Sequence, residues 1–329
     1  MTTAPPPPVA IIMRSRNRSL LLDRALRDVL GQTVTGWTLV VVNDGGNRDE
    51  VDPVVDRYRS QLGDRIQVIH HDTSLGMEAA SNAGIRASDS EFIAIHDDDD
   101  EWHPAFLERT LAHLAQHDDA GVAVRTELVF ERITSGRIEE VSREIFQPEL
   151  QAVTLFDTLR HNRCVPISIL YRRSVHEQIG YYDESLSVVG DWEFQLRLLQ
   201  RHTLGFLGEE PLAYWNQRTE ATGDLGNSVI IGDAEHKRLD KQVRENHLRD
   251  HVGQAGLGAL LYQTAYQQRE YDLLHDRHAY SDDLLRQILD ANRQLSDRVQ
   301  LLEEAVTDAS LVSLLRRRYR RLKDRVLHR

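Results

Sequence analysis

Four consecutive carboxylates, Asp97, Asp98, Asp99 and Asp100, follow directly on the apolar run Phe92-Ile-Ala-Ile-His96. Burying one unpaired charge is costly, and four in a row repel one another as well. Such a run is tolerable in water or around a cation, and the ends of buried strands are where α/β proteins place ligand sites. The chemistry indicated is a hard divalent ion held by oxygen ligands. Asp97 and Asp99 stand two apart, so extended backbone turns both carboxylates toward one ion. Asp100 is left to solvent or to capping the helix that follows. Read alone, the run also fits a solvated acidic turn.

Other chemistry-bearing residues sit at comparable places. Asp44 ends the apolar run Thr38-Leu-Val-Val-Val42 and precedes Gly45-Gly46. The glycines leave room for a planar group, although a simple Asp-Gly turn reads the same way. Arg14, Arg16 and Arg18 cluster with Ser15 and Asn17 after Val9-Ala-Ile-Ile-Met13. They suit phosphate contact or a solvated basic loop. His96 and His103 flank the acidic run and read as ordinary strand-end and helix-start residues. The single cysteine, Cys164, rules out an internal disulfide, fits a reducing compartment and reads as core.

These residues need a scaffold, and the pattern supplies one. Strands are expected at 9–13, 38–42, 66–70 and 91–95, with helices at 20–30, 51–62 and 76–87 between them. Pro53 falls near the first turn of its helix, where a missing N–H matters little. Continuous apolar strands alternating with helices predict an α/β fold with a mostly parallel sheet covered on both faces. Beyond Pro104 a helix to about Gln116, a strand at 122–130, a turn at Ser135-Gly136 and a partner strand at 137–141 are expected. Another strand is expected at 166–171, a helix at 191–201, a short strand at 203–207 and a glycine-rich loop at 223–232. From Asp233 onward the pattern is helical. Leu285, Asn292, Val299 and Val306 fall at one heptad position, and Ile288, Leu295, Leu302 and Ala309 at the other. That spacing predicts a short self-associating coiled coil, in which Asn292 sets register and strand number. A helix packed on its own domain is the alternative.

Composition bounds the function. Hydrophobic residues make up 40% and charged residues 28% of 329, as in ordinary folded proteins. A formal charge of −12 argues against a general nucleic-acid binder. From Arg316 to Arg329, however, eight Lys/Arg face one Asp. With Leu311, Leu315, Leu322 and Val326 at near-helical spacing, this tail reads as a basic amphipathic helix for an anionic membrane surface or an acidic protein. No apolar run reaches the roughly 18–20 residues that cross a bilayer. Met1 to Pro8 lacks the regions of a signal peptide and reads as a disordered tail. A cytoplasmic protein, peripheral at the inner face of the membrane, is the expectation.

Seven fragments in sequence order resemble the family 2 glycosyltransferases with a GT-A fold. Ile11-Ile-Met-Arg-Ser15-Arg-Asn17-Arg18 is similar to that family's opening nucleotide-contact segment, and Val40-Val-Val-Asn43-Asp44-Gly45-Gly46 to its Asp-Asp-Gly-Ser motif. Gly76 to Ile85, with Asn82-Ala-Gly84, matches the helix before the metal site, and His96 to Trp102 the aspartate-rich metal motif. Ile169-Leu-Tyr-Arg-Arg-Ser174, Gly180-Tyr-Tyr-Asp183-Glu184 and Gly190-Asp191-Trp192-Glu193 follow its acceptor-side order. The resemblance spans about residues 9 to 230. Three departures stand out: Asn43 for an acid, Gly46 for Ser, and Gly190 where an acid usually precedes the Asp.

The resemblance implies a metal-dependent inverting transferase that moves a sugar from a nucleotide-diphosphate donor to a glycan or lipid-linked glycan acceptor. Asp97 and Asp99 would hold Mn²⁺ or Mg²⁺ against the diphosphate, where a cation offsets the charge released as the sugar leaves. Ser15, Asn17, Asp44, Asn82, Asp97 and Asp98 would contact the sugar nucleotide. Asp191 would take the acceptor hydroxyl's proton, with Glu193 in reserve, although at a helix start it also fits a cap. The helix terminus there would keep Asp191 ionised. Trp192 and Trp215 would stack on acceptor sugars or serve as core anchors. No histidine lies between His202 and His236, so a third metal ligand is not assigned. The implied organisation is a GT-A domain at 9–232 (nucleotide half 9–103, acceptor half 104–232), a helical extension at 233–284, the coil at 285–309 and the tail at 310–329. Two rivals are a sugar-nucleotide nucleotidyltransferase and a non-catalytic scaffold. The first needs a glycine-bearing phosphate loop that Arg14-Ser-Arg-Asn-Arg18 lacks; the second is disfavoured by the presence of Asp97, Asp99 and Asp191.

Overall fold

A computed structural model describes residues 9–134, 136–218, 223, 226 and 233–327. The expected tail at 1–8 and most of the glycine-rich loop at 223–232 lie outside the described residues. The first half builds strand by strand as the apolar runs dictate: β1 (Val9–Ser15), α1 (Ser19–Leu30), β2 (Trp37–Asp44), α2 (Arg48–Leu62), β3 (Ile66–His71), α3 (Met77–Arg86) and β4 (Phe92–Asp97). β3, β2, β1 and β4 lie side by side and parallel. On β1, Val9, Ile11 and Met13 face a core shared with the first two helices and with residues 106–114, while Ala10 and Ile12 face one shared with α3 and residues 194–199. Each fully buried aliphatic side chain contributes about 1.5–3 kcal/mol, so a strand buried on both faces is firmly placed. Pro53 sits at the sixth residue of α2 rather than in its first turn, because Asn47 already caps the helix by accepting from the Asp49 N–H.

The second half is antiparallel or mixed. β5 (Glu101–Trp102), α4 (Phe106–Gln116), β6 (Gly121–Thr134), β7 (Arg137–Ile145), α5 (Leu155–Thr158), β8 (Ile169–Arg172), α6 (Ser174–Ile179), α7 (Gly190–Arg201) and β9 (Leu204–Gln217) extend the sheet in the order β4-β8-β6-β9-β5, with β7 on β6. β8 runs antiparallel to both β4 and β6, whereas β9 runs parallel to β6. β9 is longer than the expected short strand. Its register jumps from Leu207 opposite Val124 to Pro211 opposite Arg125, so the irregularity absorbs the proline that would otherwise end the ladder.

The chain forms two compact units, Met1–His247 and Leu248–Arg329. In the first, the start of α8 (Asp233–Ala255) packs Leu239 and Val243 against Leu186, Val188, Trp192 and Leu196. This early part of the helical extension therefore belongs to the transferase unit's core. In the second, α9 (Gly258–Ala309) is one unbroken helix of 52 residues, and α10 (Leu311–Leu327) follows Ser310. The break falls at Gly256, whose φ of 77° suits glycine, so 284/285 is not a helix boundary. The apolar side chains of both seam positions from Leu285 to Val306 are exposed on α9.

Candidate active site

Strand pairing brings the chemistry together. The parallel register of β1 and β4 sets Arg14 beside Asp97. Arg14 Nε donates to Asp97 Oδ1 at 2.7 Å, and a second guanidinium N–H reaches the same oxygen. Burial opposes the Arg14 charge, but Asp97 and Glu78 outweigh it and raise the pKa above the ordinary arginine value. Asp97 keeps its other oxygen for the cavity that it lines.

The other three acids depart from expectation. The chain turns directly after Asp97, with the Asp100 N–H donating to the Asp97 carbonyl. Extended alternation stops there, so strand geometry no longer sets how Asp97 and Asp99 are directed. Asp98, Asp99 and Asp100 are all buried. Arginines neutralise two of them: Arg18 lies 3.1 Å from both Asp98 and Asp99, and Arg218 pairs with Asp99 and, at 3.2 Å, with Glu131. Arg24 donates to the Asp99 carbonyl at 2.7 Å. Asp100, expected in solvent or at a cap, accepts from the Asn216 N–H at 2.9 Å. Burial first, then the neighbouring Asp99 and Asp97, raise its pKa. Burial, with the charges of Asp99 and Asp97 beside it, likewise pushes Asp98 up to about 6 against the opposing Arg18. Internal arginines are thus a third way to tolerate an acidic run, beyond water and metal.

The donor-side residues divide. Ser15 is buried, and its hydroxyl lies beside the Asp98 carboxylate, whose charge it favours. Asn17 takes a left-handed φ of 53° and accepts from the Asn47 N–H, tying the exits of β1 and β2 together. Gly46 is required there: a Cβ would stand 2.5 Å from the Asn43 side chain and 2.9 Å from the Asn17 nitrogen. Asp44 is spent within the chain, accepting from Leu75 N (2.8 Å), Gly76 N (3.0 Å) and Ser74 Oγ (2.6 Å) beside His71. Burial works against the Asp44 charge, but these donors hold its pKa below the usual carboxylate range. Its visible task is to shape the β3–α3 loop. Asn82 is fully buried, with its amide bonded to Tyr182 and Glu184, and ties α3 to that segment.

The transfer side gathers around a cavity of about 490 Å³ lined by Arg14, Glu78, Asp97, Asn162, Asp191 and Trp215, with Lys237 and Lys241 of α8 on the same wall. Asp191 is the second residue of α7, and Asn162 Nδ2 donates to its Oδ2 at 2.6 Å. Its pKa is raised, not lowered: burial outweighs the Trp192 N–H, Arg14 and Asn162. The helix terminus therefore does not dominate, and the carboxylate is more basic than an exposed one. Glu193 is held in two 2.6 Å contacts by Arg197. Trp192 is buried, its indole N–H donating to the Thr158 carbonyl at 2.7 Å and Arg244 over its ring, and it also lines the cavity. Trp215 is half-buried, edge-on to Phe146 on the cavity wall. His96 is enclosed and 2.9 Å from Asp28, His103 Nδ1 accepts from the Ala105 N–H, and Cys164 is buried, which pushes its thiol up to about 12.

Residue patterns gave no sign of Asn162 or Arg218, whose roles arise from distant segments. Glu78 had a signal, as the only charged residue from Thr73 to Ile85. It is buried, with one carboxyl oxygen lacking a partner among the described residues. Burial, with Asp191 and Asp97 nearby, pushes it up to about 8 despite Arg14.

Among the described residues no group of three or more His, Cys, Asp or Glu side chains is arranged around an ion. The donor set still fits a restricted centre. Mg²⁺-type ions are held by one or two carboxylates plus substrate phosphates, and Asp97 and Asp100 both line the cavity. Arg18 and Arg218 both meet Asp99 at Oδ2, so they leave its Oδ1 compatible with a metal role.

A sequence profile of glycosyl transferase family 2 matches residues 10–180, just over half of the chain. The uncharacterized glycosyltransferase YwdF of Bacillus subtilis is 27% identical over 270 residues, covering 80% of this chain and 92% of its own length. A PGL/p-HBAD biosynthesis glycosyltransferase of Mycobacterium bovis is 27% identical over 202 residues, 60% of this chain and 72% of its own. Among solved structures, S. aureus TarS in complex with UDP-GlcNAc matches with a TM-score of 0.55 at 18% identity, covering 76% of this chain and 74% of that one. The mannosyltransferase PcManGT of Pyrobaculum calidifontis, in complex with GDP-Man and Mn²⁺, matches with a TM-score of 0.50 at 15% identity, covering 80% and 76%. The fold is GT-A, and the chain belongs to glycosyl transferase family 2 as a glycosyltransferase.

Proposed function

We propose that this enzyme transfers a sugar, with inversion, from a nucleotide-diphosphate donor to a hydroxyl of a glycan or lipid-linked glycan. One observation carries the reading: Asp97 at the end of β4 and Asp191 at the start of α7 line the same cavity. The donor diphosphate belongs at the Asp97 end, near Arg14 and Arg18. A divalent ion there would be held by Asp97 and would supply positive charge to the departing diphosphate. Asp191 accepts the acceptor hydroxyl's proton while that oxygen attacks the anomeric carbon and the bond to the diphosphate breaks. Asn162 orients Asp191, and its raised basicity suits that task. Ser15 and Asp98 supply buried polar groups for the nucleoside end. Solved relatives of this fold bind UDP-GlcNAc and GDP-Man. That supports a sugar nucleotide here and leaves its base open.

The exposed apolar seam of α9 supports a homo-oligomer joined through residues 285–309. On α10, Leu311, Leu315, Leu322 and Val326 are exposed among arginines, which supports peripheral contact with the anionic inner face of the membrane from the cytoplasm. No described helix is long and apolar enough to span a bilayer.

The test is a panel of sugar nucleotides scored by thermal protection with Mn²⁺ and with chelator. A donor at about 100 times its Kd adds about 2.7 kcal/mol, a clear rise in Tm. D191N should keep that protection and lose about 10²- to 10⁴-fold in transfer. D97A should lose both Mn²⁺-dependent protection and transfer. If no donor protects, or D191N transfers at the parental rate, the assignment is wrong.

A further inference from the structure

Glu78 is an expensive side chain to keep where it stands. It comes from the first turn of α3, is only 4% exposed, and has one carboxyl oxygen with no hydrogen-bond partner among the described residues. Yet it lines the same cavity as Asp97 and Asp191. Native interiors pair such groups, so an orphaned carboxyl oxygen beside a cavity calls for a ligand. The second half of the sheet makes room for it. A Cβ on Gly190 would lie 2.5 Å from the Glu78 Cδ and Oε1, so any residue other than glycine at 190 would displace the carboxyl. The two elements are fitted to each other at this point: α7 opens with a glycine, and α3 fills the space with an acid beside Asp191.

We propose that Glu78 is an acceptor-binding residue of the transfer site, its carboxyl hydrogen-bonding a sugar hydroxyl next to the one that reaches Asp191. The reading rests on Asp191 as the base and adds the substrate class, a polyhydroxylated acceptor gripped through a second hydroxyl. Gly190 is the positioning residue that keeps the carboxyl in place.

The experiment compares the full-length enzyme with E78A, E78Q and G190A, using the donor found by thermal protection and a panel of p-nitrophenyl glycosides as acceptors. Losing one hydrogen bond to the acceptor should raise its KM about tenfold in E78A while the donor KM stays within about twofold. E78Q can both donate and accept, and should recover most of the loss. G190A should raise the acceptor KM as E78A does. In E78A/G190A the added methyl meets no carboxyl, so the double variant should resemble E78A alone. Melting temperature separates the roles: removing an orphaned buried carboxyl should leave Tm level or higher. A lower Tm in both E78A and E78Q, an unchanged acceptor KM, or independent effects of E78A and G190A would each overturn the proposal. So would an enzyme that consumes the donor but accepts no glycoside. D191N, assayed in parallel, tests the base separately, because its effect falls on kcat.

Discussion

Arg218, one residue beyond β9, pairs at once with Asp99 and Glu131, and all three side chains are buried. Removing one member of a buried ion cluster strands the others, which typically costs about 3–5 kcal/mol. R218M should therefore lower stability at pH 7 by about that much in urea unfolding. A loss under about 1 kcal/mol would mean that Arg18 and Arg24 suffice alone. Glu78 gives a prediction of opposite character. Its folded pKa, about 8, lies above its unfolded value near 4.5, so between those values the native state binds more protons than the unfolded one. Stability from Glu78 is thus greatest below pH 4.5 and is lost as pH rises toward 8. The fall in Tm from about pH 5 to about pH 8 should be shallower in E78Q than in the parent. Parallel curves would show that Glu78 is not protonated in the fold.

At the scale of elements, the site depends on how loops lock strand ends together. Gly45 has a φ of 71°, and a Cβ there would stand 2.1 Å from the Ser74 nitrogen. Gly63, at φ 56°, has nothing within 4 Å of its added Cβ. Backbone strain alone costs about 1–3 kcal/mol. G63A should show only that strain, whereas G45A should cost more and also weaken donor protection, since the Asp44-held loop must move. Equal losses in the two variants would separate the loop contact from the donor site. The acidic run follows the same logic. β5 pairs with β9 and pins the turn after β4, so Asp98 to Asp100 are carried inside where arginines from α1, from the loop before it and from beyond β9 meet them. Asp97 is the most exposed of the four, and it lines the cavity together with Asp100.

For the whole molecule, the two units carry different tasks. The first contains the cavity and the charges that run it; the second is a long helix with its apolar seam in solvent. A seam of this kind is normally covered by a second helix. L295D/L302D should convert an oligomer into a monomer in light scattering, while the first unit keeps its donor protection. A parental protein that is already monomeric at high concentration would remove the basis for the coil.

The parallel half of the sheet was legible in residue order, because continuous apolar runs between turn signals have few other stable arrangements. Motif order also grouped Asp97 with Asp191, which line one cavity, and Arg14 beside Asp97 followed once β1 and β4 were paired. The charge balance was settled in three dimensions. Arg218 reaches Asp99 across more than a hundred residues, Asn162 reaches Asp191 from a separate loop, and Glu78 fills the hollow at Gly190. Periodicity reports which face of an element is buried, whereas long-range pairing depends on where distant segments meet. That is why the arginine partners of Asp97, Asp98 and Asp99 cannot be read from the acidic run itself.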